Sequence, residues 1–279
     1  MPSFSCDGPL QRTELPLGWW GPMTRLRLVT FNIAHGRGLT PIQGFTSPRK
    51  LRVNLRKIAG LLERLAPDVV ALQEIDECSR WSGNFDHLDY LKVHTAFPYA
   101  AFGINNRRTG LLNLCYGNAL LSRHPLIETE TVVFGQRRVG EKGFLYAEIG
   151  VGSLCVPFVN LHLHASSRAR RLLQLDLLVA WLRLKQRSHG ARWAVPPVIC
   201  GDFNNPNTAY DATSSLLDHL ANYGDYTVHP QTGGTYPSPL PQRILDFVFM
   251  PSGCRLIRCE VVRTLLSDHR PVLVEFALG

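Results

Sequence analysis

The sequence predicts an α/β (α+β) fold of stacked sheets with helices packed outside them. Three observations predict it. About ten short runs rich in Val, Ile, Leu and Phe are bounded by Gly, Pro, Asn and Asp, as buried strands are. Two longer segments carry apolar residues at helical spacing. No repeat of solenoid period and no low-complexity stretch interrupts the pattern. A sheet must bury its apolar face against another layer, so these elements imply sheets on sheets with helices outside.

The strand-like runs cover 25–33, 68–73, 118–121, 129–134, 144–149, 154–163, 198–200, 244–250, 255–262 and 271–276. Ser47-Pro48 forms a helix start, with Pro at the first helical position. Leu51, Leu55, Ile58, Leu62 and Leu65 follow at helical spacing up to Pro67. A second helix begins after Ser166-Ser167 and ends near Gly190. Its Leu175, Leu178 and Leu182 face the core, and Arg168, Arg171, Lys185 and Arg187 are expected in solvent. A weaker helix spans 211–221. The Pro- and Gly-rich stretch 231–242 has the length of a functional loop. Residues 25–279 are expected to form a single domain, and 1–24 a surface arm tacked down by Trp19 and Trp20.

The chain has 279 residues, 45% hydrophobic and 19% charged, enough for a sizeable core. It has no apolar run long enough for a transmembrane helix, and the N-terminus lacks the pattern of a signal peptide. The net charge of +8 favours polyanionic partners. Seven scattered cysteines without C-x-x-C exclude a zinc ribbon and a full disulfide framework, and fit a reducing cytoplasm. A monomer is expected.

One pattern carries chemistry. Apolar strand runs pass repeatedly into small polar groups: Val29-Thr30-Phe31 into Asn32, Val69 to Leu72 into Gln73-Glu74, and Phe158-Val159 into Asn160 and His162. Val198-Ile199-Cys200 leads into Gly201-Asp202-Phe203-Asn204. Ile244-Leu245 precedes Asp246, and Leu265-Leu266 precedes Ser267-Asp268-His269. Buried polar ends are costly unless paired or bound to a metal. A single case is usually turn chemistry, but several strand ends of a sheet converge on one cleft. Carboxylate and amide oxygens suit Mg²⁺ or Mn²⁺, and two histidines add donors for phosphoryl charge or a leaving group. Such a set suits attack of water on a phosphoester.

The motifs TFN at 30–32, LQE at 72–74, GNALLSRHP at 117–125, NLHLHA at 160–165, GDFN at 201–204, LDFVF at 245–249 and SDH at 267–269 occur in that order. Together they resemble the endonuclease/exonuclease/phosphatase superfamily over about residues 25–277. The resemblance implies a four-layer α/β/β/α sandwich with the site at the top of the two sheets. It implies Glu74 as principal metal ligand assisted by Asn32, and Asp268 as a metal-side carboxylate. Asp202 would orient or deprotonate the attacking water, and Asn204 would stabilise the pentavalent phosphate. His269 would contact phosphate, oriented by Asp246, and His162 would lie near the scissile phosphate or leaving oxygen. Asn118 either binds phosphate or holds a turn; Arg80 either contacts substrate or is solvated. His164 is expected to be structural.

The late aspartate lies in Arg-Ile-Leu-Asp rather than the RIDYIF of many relatives. The LQEID segment lacks the lysine that abasic-site endonucleases carry there, which weakens a DNA-repair reading. The expected substrate is a small phosphoester or lipid headgroup, with a DNA or RNA nuclease as the alternative and a catalytically degenerate binding module as a third reading. No G-x-S-x-G supports a serine hydrolase, and neither a P-loop nor a G-x-G-x-x-G is present.

Overall fold

The computed structural model describes residues 24–110, 113–135, 140–205 and 211–279. The expected arm, apart from Thr24, lies outside these residues, as does Cys6. Twelve strands form two six-stranded sheets. The first contains β1 (Arg25–Asn32), β2 (Val69–Asp76), β3 (Tyr99–Arg108), β4 (Leu114–Ser122), β11 (Cys254–Val261) and β12 (Val272–Leu278), ordered β11-β12-β1-β2-β4-β3. The second contains β5 (Leu126–Val133), β6 (Gly143–Val151), β7 (Leu154–His162), β8 (Val198–Asp202), β9 (Tyr226–His229) and β10 (Asp246–Pro251), ordered β5-β6-β7-β8-β10-β9.

Both sheets follow one plan. The central pair is parallel, β1 with β2 and β7 with β8, and every other pair is antiparallel. A parallel pair needs a crossover. Helix α1 (Pro48–Leu65) joins β1 to β2, and α3 (Arg168–His189) joins β7 to β8. Ser47 caps α1 by accepting from Lys50 N, and Ser167 caps α3 by accepting from Arg170 N. The shorter α2 (His87–Val93) and α4 (Ala212–Leu220) complete the outer layers.

Strand alternation divides the core into three clusters. Leu26 and Leu28 of β1 face the second sheet, meeting Phe158, Val198 and Val248. Val29 and Phe31 face the other way, against Leu55, Ile58 and Leu62 of α1. On the second sheet Val159, Ile199 and Phe249 pack under Leu175, Leu178 and Leu182 of α3. The result is the four-layer α/β/β/α sandwich.

Several expectations need correction. Arg171 and Lys185 are buried rather than solvated. Arg171 pairs with Asp211 at 2.6 Å, and Lys185 reaches Glu130 at 3.0 Å. Strands β3 and β9 and helix α2 were not expected. Strand β3 is an edge strand with Gly103 at its centre and Asn105, Asn106, Arg107 and Arg108 at its end, so it lacks an apolar run. The described cysteines are all free thiols. No helix among the described residues is long and apolar enough to cross a membrane.

Candidate active site

The alternation that builds the inter-sheet core also builds the site. Continuing the inner row of β1 past Leu26 and Leu28 gives Thr30 and Asn32. On β2, Val69 and Ala71 lead to Gln73, and on β7, Val156 and Phe158 lead to Asn160 and His162. On β8, Val198 and Cys200 lead to Asp202, and on β10, Val248 and Met250 lead back to Asp246. Each inner row therefore changes from apolar to polar at the same end of the sandwich. Ladder register holds these ends level: Asn32 lies beside Gln73, and Asp202 beside both His162 and Asp246.

Asp202 is the convergence point. Its Oδ2 accepts from Asn32 Nδ2 at 2.9 Å and lies 3.4 Å from His162 Nε2 and 3.8 Å from His269 Nε2. Its Oδ1 accepts from Asn204 N at 2.9 Å. Burial, with the neighbouring Asp246 charge, pushes the Asp202 carboxyl up to about 7. His269 Nδ1 lies 2.9 Å from Asp246 Oδ2. Burial alone would lower the pKa of His269, but Asp246 and then Asp202 raise it to about 10, so the imidazole holds its proton. Burial and the nearby Lys142 cation push His162 well below its ordinary value, leaving that ring neutral.

Glu74 lies where β2 breaks register with β4, in left-handed backbone at φ 52°. Ala34, His35 and Asn204 also have positive φ. Strained backbone of this kind persists where a site over-determines it. Glu74 Oε1 is 3.3 Å from Lys142 Nζ and 3.9 Å from His162 Nε2, while Oε2 is 3.7 Å from His35 Nε2. Burial opposes its charge, yet Lys142 and then His35 hold its pKa far below the usual carboxylate range. Behind it His35 Nδ1 contacts Asp76 Oδ2 at 2.6 Å, and Trp81 Nε1 donates to Asp76 Oδ1 at 2.8 Å.

Asn118 is buried between the sheets, and its Nδ2 donates to the carbonyls of Gly143 and Asn160. It therefore joins the sheets rather than holding a turn. Asn204 Nδ2 donates to Leu163 O. Asp268 Oδ2 accepts from Arg37 at 2.7 Å, a partner that the sequence did not suggest. Arg80 is exposed on the short 80–82 helix that carries Trp81. His164 accepts from the Ser166 and Ser167 amides at the start of α3.

The sequence profile of the Endonuclease/Exonuclease/phosphatase family matches residues 29–269. The chain belongs to this family. No curated protein sequence matches it. Among solved structures, an endonuclease/exonuclease/phosphatase from Beutenbergia cavernae superposes with a TM-score of 0.70 at 22% identity, covering 91% of this chain and 72% of that one. A mannosyl-6-phosphatase from Bacteroides thetaiotaomicron gives 0.64 at 16% identity, covering 90% and 99%. Humanized D. rerio TDP2 gives 0.61 at 16% identity, covering 90% and 98%. At these identities the likeness is one of fold.

Within the family frame, three site features escaped the sequence reading. Lys142 is one of 30 Lys and Arg residues, and nothing local marks it. It reaches the site because Gly143, its neighbour, lies opposite His162 in the ladder. The His35–Asp76 pair joins residues 41 apart, and neither residue lies within a motif that implies a role for it. Asn160 and Gln73 lie within the NLHLHA and LQE motifs, which by themselves give them no role. Gln73 Nε2 donates to Asn160 Oδ1 at 2.7 Å, and Asn160 Nδ2 donates to Leu72 O and Ala119 O at 2.9 Å each.

Proposed function

We propose that this chain is a divalent-metal-dependent phosphoester hydrolase that directs a water at phosphorus in line with the leaving oxygen. The observation that carries the reading is the convergence of Asn32, His162 and His269, from both sheets, on Asp202 Oδ2. A buried carboxyl at about 7 beside two imidazoles, one protonated and one neutral, is poised for acid–base work near neutrality.

Asp202 accepts the proton of the attacking water. His269, held protonated by Asp246, presents Nε2–H to a phosphoryl oxygen. His162 lies beside it on the same carboxylate and faces the leaving oxygen. An amide nitrogen carries two protons, so the bond from Asn204 to Leu163 O leaves a second for the phosphate.

The donor chemistry fits a Mg²⁺ or Mn²⁺ ion. Glu74 is an ionised, partly accessible carboxylate whose nearest cations, Lys142 and His35, stand at 3.3 and 3.7 Å, longer than charge-assisted hydrogen bonds. Asp246 Oδ1 and Asn118 Oδ1 are buried acceptors without a partner. Glu74 and Asn32 would hold the ion, with Asp268 on the same rim. When bound, it neutralises charge on the phosphate and lowers the pKa of water. The ligand atoms of Asp202, Asp246 and His269 also lie within 4.8 Å of one another.

Hydrolysis of bis-p-nitrophenyl phosphate and p-nitrophenyl phosphate, measured with chelator and then with added Mg²⁺ or Mn²⁺, tests the reading. Asp202→Asn and His269→Ala are each expected to lower kcat by about a hundredfold or more with the fold retained by circular dichroism. Turnover that ignores chelator, or survives both substitutions, refutes it.

A further inference from the structure

We propose that the rim of the site beside α1 is a docking surface for an anionic lipid bilayer. Residues 37–57 contain Arg37, Arg49, Lys50, Arg52, Arg56 and Lys57 and no Asp or Glu. The first turn of α1 has no acidic residue. Arg49 and Lys50 instead stand at the positive end of the helix dipole, where a cation costs local stability. Helix stability therefore does not account for them, and an anionic partner does.

Apolar side chains protrude beside these charges. Leu39 is 42% exposed, Ile42 57%, Phe45 78%, Leu240 75% and Leu265 60%. Their three loops meet at one residue. Gly38 bridges to Ser267, Ser238 Oγ donates to Ser267 O at 2.6 Å, and Leu265 lies two positions before it. Leu39, Val53 and Leu265 line one groove with Arg37, Lys50 and Lys57. Protruding apolar residues ringed by cations match a surface that enters the boundary of headgroups and acyl chains. A single-strand nucleic-acid groove uses aromatic stacking platforms instead, and four of the five protruding residues here are aliphatic.

The surface adjoins the chemistry. Arg37 binds Asp268, the neighbour of His269. A docked bilayer would lie against the mouth of the site and present headgroup phosphoesters to it. That substrate class rests on the proposed hydrolase reading, but the docking does not.

The test is co-sedimentation with vesicles of phosphatidylcholine containing about 30 mol % phosphatidylserine, and of phosphatidylcholine alone. The wild type is expected to bind the anionic vesicles at least about tenfold more tightly. The pair Ile42→Ser/Phe45→Ser and the triple Arg49→Glu/Lys50→Glu/Lys57→Glu should each weaken that binding about tenfold or more. Both should leave hydrolysis of a soluble p-nitrophenyl ester unchanged. Arg187→Glu, on the exposed face of α3 beyond the other sheet, should bind as the wild type does. Asp202→Asn should also bind normally, which separates docking from catalysis. The proposal is overturned if the wild type ignores anionic vesicles, if Arg187→Glu loses as much binding as the triple variant, or if the Ile42/Phe45 pair has no effect. It is likewise overturned if the triple variant loses only single-stranded DNA binding.

Discussion

Truncating Asn160 should cost more stability than its small volume suggests. Its side chain is fully buried between the sheets. Nδ2 donates to the carbonyls of Leu72 and Ala119, and Oδ1 accepts from Gln73. Asn160→Ala removes the donor from both carbonyls and the acceptor from Gln73 Nε2, which keeps its bonds to Thr30 and Ala71. A buried group left unsatisfied costs about 1–3 kcal/mol, so two carbonyls give about 2–6 kcal/mol, toward the lower end once partial relaxation is allowed. The stability of an ordinary domain is about 5–15 kcal/mol, so even the low end of that loss is a substantial fraction of it. Asn160→Asp keeps the shape but turns an oxygen toward the two carbonyls. It should cost at least as much at about pH 8, and part of the loss should return near pH 4, where a protonated carboxyl can donate one bond. Urea unfolding at both pH values, with m-values compared, measures this. If both variants fall within about 1 kcal/mol of the wild type, these hydrogen bonds do not hold the sheets together.

Three further outcomes are expected. Lys142→Met removes the cation nearest Glu74 and His162; kcat/KM should fall by about 10–100-fold with little change in Tm, and unchanged kinetics would remove Lys142 from the site. Gly201→Ala puts a Cβ 1.9 Å from Leu161 O at a residue with φ 137°; it should be insoluble or destabilised by more than about 3 kcal/mol, and a Tm near that of the wild type would contradict the strand approach. Hydrogen bonds from Lys185 and then Arg192 lower the Glu128 carboxyl from 4.5 to about 2. A depressed folded pKa gives stability that is present above 4.5 and lost as pH falls toward 2, so Glu128→Gln should flatten the decline of stability with pH across that window, and a parallel decline would show that the pairing contributes nothing.

Most of the candidate site is legible in the sequence because its residues obey the period-two rule of the strands that carry them. Once Leu26 and Leu28 are assigned to the inner face, Asn32 follows, and the same step leads from Phe158 to His162 and from Cys200 to Asp202. Glu74 breaks that rule. It follows inward-facing Gln73, so simple alternation would send it toward α1. Its positive φ and the register shift re-aim it, and no propensity announces a bulge at Gln-Glu. Ion pairs across elements were equally hidden. Arg171 and Lys185 looked like solvent-facing charges because their acceptors, Asp211, Glu128 and Glu130, come from other elements. Burial of a long cation is decided by such partners, not by its position on a helical wheel.

Neither sheet holds the site alone. Asn32 and Glu74 come from the first sheet and His269 from the segment entering β12, while His162, Asp202 and Asp246 come from the second. Asn32 to Asp202, His269 to Asp246, Gln73 to Asn160 and Asn118 to Gly143 are all bonds across the interface. Apolar packing below them would tolerate a small slide of one sheet over the other, since dispersion is not directional. Buried polar partners do not tolerate it, because each lost bond exposes a desolvated group with nothing to replace water. The polar row thus fixes the register that the apolar rows leave loose. Residues that set this register, such as Asn160, therefore act on activity through geometry. Their substitution should reduce stability and turnover together, whereas Asp202 and His269 variants should separate the two.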